Sequence, residues 1–325
     1  MSLAGTIPYH LRQNKAIDRS LFIDLLARIN RYRNISDYSY IGFGGPFLED
    51  FKVLHSALRI RNMISIESDK NVMARQKFNQ PVSCVEIRNQ LSGDFLTNHI
   101  FQEPSIVWFD YAIPAQLGTQ LAEAQSLVSK LTAGDVLKIT LNASPEPLGK
   151  PADGSDLRTY RAEEAAKRLA DYGPAVVDID DVTTKNFPTL LLRALHSACK
   201  RGVVGAPRLY VQPLTAFVYK DGQQMLTATA IILNHADKAA FFAQTRLEHW
   251  SHLNVEWAQP LSISVPDLST KERLYVESLL PGGDPDEIRQ SLGFFVGADE
   301  REASELMRNF VNYYRLSPSF SRIVV

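Results

Sequence analysis

Five short apolar runs alternate with helical patterns between residues 38 and 142, and this alternation constrains the fold more than any other feature. The runs span residues 38–43, 63–68, 83–87, 105–111 and 134–142. Helical segments with apolar residues three or four positions apart separate most of them. Strands that alternate with helices form a parallel sheet, because right-handed crossovers lay the helices against its faces. We therefore predict a doubly wound, mostly parallel α/β fold.

The second half of the chain predicts how this sheet ends. Two long β-type runs, 209–220 and 224–233, are joined at Asp221-Gly222, a dipeptide typical of tight hairpins. The sheet should therefore have seven strands and end in an antiparallel hairpin. Beyond residue 235 the alternation stops, and a capping box over 269–272 indicates helices. The predicted parts are an N-terminal helical segment over the pocket, a Rossmann-like domain and a helical C-terminal appendage, at residues 1–36, 37–235 and 236–325.

Composition excludes several classes of function. Lys and Arg total 35 against 36 for Asp and Glu, so the net charge of -1 gives no global field for nucleic acid. Cys84 and Cys199 lie far apart, which indicates buried thiols in a reducing compartment, and we predict a cytoplasmic protein. No apolar run reaches membrane-spanning length, so we predict no membrane association. His249 and His252 lack a third ligand, and no metal site is predicted.

The segment YIGFGGPFLEDF, at residues 40–51, places glycines between the first strand and the first helix. We call residues 42–46 the glycine corner. Such a corner lets a dinucleotide or an adenosine-bearing cofactor approach the backbone at the carboxyl edge of the sheet. The dinucleotide fingerprint has a third glycine where Phe47 stands, and Pro46 removes an N–H donor. These changes favour a sulfonium cofactor, which has no phosphate to bind; a tight turn without a ligand is the alternative.

An acidic residue follows at the position that dinucleotide-binding proteins use for ribose. Glu67 ends the second strand, 22 residues after Gly45, where a carboxylate can accept hydrogen bonds from ribose hydroxyls. The alternative is a solvated carboxylate at the end of a strand, and Asp69 would serve nearly as well.

Together these segments resemble the class I S-adenosylmethionine-dependent methyltransferases over residues 37–235. YIGFGGP resembles the first motif of that family, although Tyr40 replaces its usual acid, and Glu67 resembles the acid that closes its second strand. GDF at 93–95 is similar to the segment whose acid contacts adenine, and FDY at 109–111 to the motif that faces the methyl donor. The resemblance implies a donor site of Gly42, Phe43, Gly44, Gly45, Pro46, Glu67, Ser68, Asp94, Phe95 and Asp110.

The resemblance implies transfer of a methyl group from S-adenosyl-L-methionine to an unidentified acceptor, through a hydroxyl or carboxylate oxygen. Asp110 and Tyr111 are the predicted catalytic residues, because they follow the fourth strand and would face the acceptor; Tyr111 could instead be a packing aromatic. Arg12 and Lys15, with Tyr111, are predicted to bind the substrate, because the basic segment 9–19 precedes the first strand. A solvated basic arm is the alternative.

Three hypotheses about function remain open at this point. The methyltransferase would act on a small or macromolecular acceptor; the alternatives are a nicotinamide-dependent oxidoreductase and a non-catalytic binding module with a methyltransferase-like fold. The apolar tail at 312–325 predicts docking on its own domain or on a second copy, as in a homodimer. Replacing Gly44 by Val is expected to fill the ligand's space while the fold survives.

Overall fold

A computed structural model of the protein describes residues 12–318. The chain divides into two compact units. Within the described range, the first unit contains residues 23–218 and 223–261, and the second contains 12–22, 219–222 and 262–318. The start of the predicted N-terminal segment, at 1–11, and the end of the predicted docking tail, at 319–325, lie outside the described residues. The predicted domain limits stay predictions.

The sheet confirms the predicted fold class, with parallel strands followed by an antiparallel hairpin. Its strands are β1 Ser39–Gly42, β2 Asn62–Glu67, β3 Val85–Asn89, β4 Ser105–Asp110, β5 Val136–Asn142, β6 Leu209–Asp221, β7 Gln223–Asn234 and β8 Leu261–Ile263. They lie in the order β3-β2-β1-β4-β5-β7-β6-β8. β8 adds an eighth strand that was not predicted, because three residues are too few to show a period.

Helices connect the parallel strands and make up most of the C-terminal region. They are α1 Gln13–Ile29, α2 Glu49–Leu58, α3 Lys70–Asn79, α4 Ser92–Asn98, α5 Leu117–Lys130, α6 Leu157–Leu169, α7 Phe187–Gly202, α8 Lys238–Thr245, α9 Thr270–Ser278, α10 Pro285–Ser291 and α11 Glu300–Tyr313. The capping box predicted from residues 269–272 is confirmed, since Ser269 and Glu272 exchange both hydrogen bonds at the start of α9. In the described part of the chain, no helix is long and apolar enough to cross a membrane.

The central strands β1, β4 and β5 are buried on both faces, and β4 illustrates how its side chains divide. Val107, Phe109 and Tyr111 belong to the apolar cluster that also includes residues of α5 and α7. Because successive side chains of a strand point to opposite faces, Trp108 and Asp110 lie on the other face. The end of β4 therefore sends its aspartate and its tyrosine in opposite directions.

The second unit contains the last three helices. α11 buries one stripe of side chains, at Ala303, Met307, Phe310 and Tyr313. Arg273 of α9 donates hydrogen bonds to the carbonyl oxygens of Ser317 and Pro318, at 2.9 and 2.6 Å. These bonds fix the end of the described chain against α9.

Candidate functional site

Two carboxylates flank the end of β1 at the carboxyl edge of the sheet. Gly42, the last residue of β1, pairs with Ser65 of β2 on one side and with Trp108 of β4 on the other. Glu67 and Asp110 each lie two residues further along their strands, or ~7 Å beyond Gly42. Both therefore point to the same face as Ser65 and Trp108, two strand spacings or ~9.5 Å apart.

This edge is also where the direction of strand succession reverses. The chain runs outward from β1 through β2 to β3, and then crosses to β4 on the other side of β1. In open α/β sheets, the crevice at such a switch point is where ligands bind. The glycine corner and both carboxylates therefore stand around the most favourable binding position of the fold.

A 3₁₀ turn at Gly45–Phe47 separates β1 from α2. Pro46 lies in this turn, and α2 starts at Glu49. Gly45 and Leu48 both have left-handed backbone conformations, with φ of 51° and 52°. The left-handed Leu48 interrupts helical geometry, which separates the turn from α2.

Packing inside the protein explains why residue 44 is a glycine. A Cβ built on Gly44 would collide with Leu48 Cδ2 and lie 2.8 Å from Ser65 Oγ and 3.1 Å from Phe51 Cε2. A larger residue there must displace these side chains. The space beside Gly44 is therefore filled by its own chain and not by a ligand, and we expect Gly44→Val to destabilise the fold.

Side chains of α3 hold the glycine corner from one side. Gln76 donates from Nε2 to the Gly45 carbonyl oxygen at 2.9 Å, and Asn79 donates from Nδ2 to the Pro46 carbonyl oxygen at 2.8 Å. The Arg75 guanidinium lies over the Phe47 ring, 4.7 Å from its centroid. Sequence reasoning missed Gln76 and Asn79, because polar residues within a helix give no periodic signal.

Glu67 is a half-buried carboxylate at the end of β2. Its Oε1 accepts the Asp69 backbone N–H at 2.8 Å. Burial raises the pKa of Glu67, and the hydrogen bond from Asp69 opposes that rise. Asn89 of β3 donates to the carbonyl oxygens of Glu67 and of the exposed Ser68, at 2.7 and 3.1 Å. Asp69 itself caps α3, since its side chain accepts two backbone N–H groups there.

Asp110 and Tyr111 are adjacent in sequence but have different surroundings. Asp110 ends β4, in register with Thr140 of β5, and is half-buried. Tyr111 is 7% exposed, and its hydroxyl donates to Glu123 Oε2 of α5 at 2.5 Å. Burial, followed by the nearby Glu123 carboxylate, raises the pKa of Tyr111 well above 10. Near neutral pH the Tyr111 phenol is therefore a hydrogen-bond donor.

An aromatic cluster underlies the corner on the Tyr111 face of the sheet. Phe43 stacks on Phe109 with ring centroids 4.9 Å apart, and Tyr111 meets the Phe43 ring edge-on at 5.6 Å. The structure therefore packs the half-buried Phe43 against Tyr111 of the apolar core. The Tyr111 hydroxyl lies on the opposite face of the sheet from the carboxylates of Glu67 and Asp110.

Asp94, predicted to contact adenine, and Phe95, predicted to line the donor site, lie in α4, a helix that was not predicted from the sequence. Asp94 is exposed in the first turn of α4. Phe95 is 1% exposed and stacks on His99 with ring centroids 4.4 Å apart. The Phe95 ring is therefore part of the core, which leaves its backbone as the part able to meet a ligand.

The two basic residues predicted to bind substrate belong to the second unit. Arg12 is the first described residue, and Lys15 lies in the first turn of α1. The Lys15 backbone N–H donates to Asp221 Oδ2 at 2.7 Å, and Asn14 Nδ2 donates to Asp221 Oδ1 at 3.0 Å. These bonds are internal to the second unit, and the role of Arg12 and Lys15 toward an acceptor stays a prediction.

Comparison with known proteins gives one family. Residues 7–325 match the model of a family described as "Putative O-methyltransferase". No curated protein matches the chain.

Three of the solved structures that are similar to this chain contain S-adenosyl-L-methionine (SAM) or SAH. Trm1 from Pyrococcus horikoshii, with S-adenosyl-L-methionine, is 10% identical with a TM-score of 0.43, over 69% of this chain and 56% of that chain. An O-methyltransferase from Bacillus cereus, in complex with SAH, is 13% identical with a TM-score of 0.35, over 65% and 79%. TomG, an O-methyltransferase from Streptomyces achromogenes in complex with SAM, is 12% identical with a TM-score of 0.36, over 71% and 92%. This chain thus spans little more than half of the Pyrococcus protein.

Proposed function

The chain belongs to this O-methyltransferase family, and from that premise we propose that it transfers the methyl group of S-adenosyl-L-methionine to an acceptor oxygen. The family match confirms the predicted methyltransferase class. The observation that carries the site assignment is the pair of carboxylates, Glu67 and Asp110, on either side of the end of β1. They stand at the switch point of the sheet, beside the glycine corner.

Glu67 holds the ribose of the methyl donor. Its carboxylate has lost part of its hydration, as its raised pKa indicates. Hydroxyl donors restore the hydrogen bonds that burial removed, and two neighbouring ribose hydroxyls suit the oxygens of one carboxylate. Ser68 follows Glu67 at this edge, while Asp94 and the backbone of Phe95 approach the adenine.

The glycine corner lies under the rest of the donor. Gly42 and Gly44 are required by internal packing, because a Cβ on either would lie less than 3.0 Å from atoms of the chain itself. Pro46 has no N–H to direct at a phosphate. This chemistry suits a sulfonium compound without phosphate better than a dinucleotide.

Asp110 positions or deprotonates the acceptor. The donor supplies a methyl group already activated by its sulfonium, so the protein mainly has to align the acceptor oxygen with the methyl carbon. The new C–O bond forms as the C–S bond breaks, and the sulfonium becomes a neutral thioether. If the acceptor is a hydroxyl, its proton passes to the Asp110 carboxylate, which then acts as a general base. A carboxylate acceptor needs no base, and Asp110 would then be chiefly a positioning group.

Tyr111 supports this site from the other face of the sheet. Its hydroxyl is bonded to Glu123 and its pKa is too high for a general base near neutral pH. We therefore assign acceptor chemistry to Asp110 and give Tyr111 a part in orienting the end of β4.

Ligand binding separates the competing hypotheses. The protein is heated with S-adenosyl-L-homocysteine and, in parallel, with NAD. A ligand that binds only the folded state at 100 times its Kd stabilises that state by about 2.7 kcal/mol. We expect S-adenosyl-L-homocysteine to raise the Tm and NAD to leave it unchanged. A shift with NAD alone would refute the proposal in favour of an oxidoreductase.

Transfer itself is tested with a radiolabelled methyl donor and an extract fractionated into small molecules and macromolecules. Label in an alkali-stable or alkali-labile product distinguishes an ether from an ester, and therefore a hydroxyl from a carboxylate acceptor. Confirmed donor binding without transfer to any fraction would favour a non-catalytic binding module. A homodimer and a cytoplasmic location belong to the proposal as well, and sedimentation and cell fractionation test them.

A further inference from the structure

We propose that Gln76 of α3 is a positioning residue of the donor site, which holds the glycine corner in the shape that binds S-adenosyl-L-methionine. This inference rests on the proposed function, because it concerns the same site. Gln76 touches the corner backbone and acts on the donor only through it.

Both polar atoms of the Gln76 side-chain amide are hydrogen-bonded within the protein. The side chain is 0% exposed. Its Nε2 donates to the Gly45 carbonyl oxygen at 2.9 Å, and its Oε1 accepts the Ser65 hydroxyl at 3.2 Å. One amide therefore links α3, the corner and β2. Asn79, three residues later on the same face of α3, holds the next carbonyl oxygen, that of Pro46, at 2.8 Å.

The corner depends on such outside contacts, because it lacks the usual local ones. In the described chain, neither the 3₁₀ turn at Gly45–Phe47 nor the start of α2 receives a side-chain cap. Leu48 between them has a left-handed backbone, a strained conformation for a residue with a side chain. Strained backbone persists where its surroundings over-determine it. Gln76 and Asn79 supply that constraint from α3.

Loss of the Gln76 amide would leave the buried Ser65 hydroxyl without this acceptor and the partly buried Gly45 carbonyl oxygen without this donor. The corner can then relax to other turns, and the donor must select the binding shape from a mixture. Affinity falls in proportion to the fraction of molecules that hold this shape. A hydrogen bond between neutral groups corresponds to about a 3- to 10-fold change in that equilibrium, and the Kd rises by at most this factor for each bond lost.

The test compares two methionine substitutions of buried glutamines. Gln76→Met keeps the volume of the side chain and removes both hydrogen bonds. Gln212→Met is the matched control: Gln212 is 3% exposed and donates from Nε2 to the Pro213 carbonyl oxygen at 2.8 Å, but β6 lies four strands from β1. Binding of S-adenosyl-L-homocysteine is measured by calorimetry, and stability by urea unfolding.

We expect both variants to lose stability, but only Gln76→Met to bind S-adenosyl-L-homocysteine about 3- to 10-fold more weakly. Amide exchange should also accelerate at Leu48, whose N–H bonds to the Gly44 carbonyl oxygen at 3.0 Å. A Kd for Gln76→Met within twofold of the parent, with unchanged exchange at Leu48, would overturn the proposal.

Two further controls keep the result decisive. If Gln76→Met does not fold, Asn79→Leu replaces it, because Asn79 is only half-buried and this substitution removes the other bond from α3 to the corner. Unchanged affinity in Asn79→Leu would refute the positioning of the corner by α3. If the parent itself does not bind S-adenosyl-L-homocysteine, the proposed function fails, whereas equal binding by parent and variant refutes only the role of Gln76.

Discussion

Replacing Glu67 by Gln should weaken donor binding without weakening the fold. In the parent, Oε1 accepts the Asp69 N–H at 2.8 Å, and ribose hydroxyls would use the remaining acceptor capacity of the carboxylate. Glutamine has one oxygen, which the Asp69 N–H would retain, so an NH₂ group would face the ribose. A hydrogen bond to a charged group contributes about 1.5–3 kcal/mol, so the Kd for S-adenosyl-L-homocysteine should rise about 10- to 100-fold.

Stability should respond with the opposite sign. Burial raises the pKa of Glu67 in the folded protein, so the protonated form is the one that stabilises the fold. That stabilisation is present below the unfolded-state pKa and is lost as pH rises through the folded-state pKa. At pH 7 the ionised Glu67 therefore destabilises the folded protein. Glu67→Gln should leave the Tm unchanged or raise it. Donor affinity in the parent should fall as the pH is lowered through the raised pKa.

Calorimetry with S-adenosyl-L-homocysteine and its 2′-deoxy analogue tests this reasoning. The analogue should lose less affinity than the full ligand when Glu67 becomes Gln. Glu86→Gln is the control, because Glu86 lies on the neighbouring strand β3, where it pairs with Arg88 at 2.7 Å, and should leave both affinities unchanged. Equal losses for the two ligands would show that Glu67 does not contact the ribose.

Three other substitutions test separate parts of the site. Asp110→Asn should leave the Kd for S-adenosyl-L-homocysteine within a few fold but slow methyl transfer to a hydroxyl by about 10²–10⁴-fold in single-turnover assays; parallel losses of affinity and rate would instead give Asp110 a role in donor binding. Tyr111→Phe leaves the Glu123 carboxylate without its 2.5 Å donor, and the free energy of unfolding should fall by about 1–3 kcal/mol in urea titrations. A slower reaction at unchanged stability would indicate that Tyr111 acts on the acceptor. Gly44→Ala should lower the free energy of unfolding by about 1–3 kcal/mol, because its Cβ collides with Leu48; an unchanged Tm with lost donor affinity would restore the view that residue 44 is a glycine for the ligand's sake.

Sequence patterns predicted seven of the eight strands of the sheet. The parallel strands are nearly continuous apolar runs because both of their faces are covered, and Asp221-Gly222 marks the hairpin because Gly222 takes a φ of 101°. The same pattern predicted where the strands end, and therefore that Glu67 and Asp110 lie at the carboxyl edge of the sheet. Register then adds what sequence lacks, namely that both carboxylates lie on the same face.

Features that depend on contacts between distant residues could not be predicted. FDY at 109–111 gave no sign that Tyr111 points to the opposite face and bonds to Glu123, twelve residues away. Gln76 is buried and polar. The spacing of apolar residues does not distinguish such a residue from an exposed polar one. α4 has seven residues and presents too few turns for a periodic stripe.

The packing around Gly44 has a consequence for how this corner tolerates mutation. Leu48 fills the space that a side chain at residue 44 would need, and Ser65 closes it from β2. The cost of a side chain at position 44 therefore depends on the residues at positions 48 and 65, because the three share one space. Gly44→Ala combined with Leu48→Ala should lower the free energy of unfolding by less than the two single substitutions do in sum.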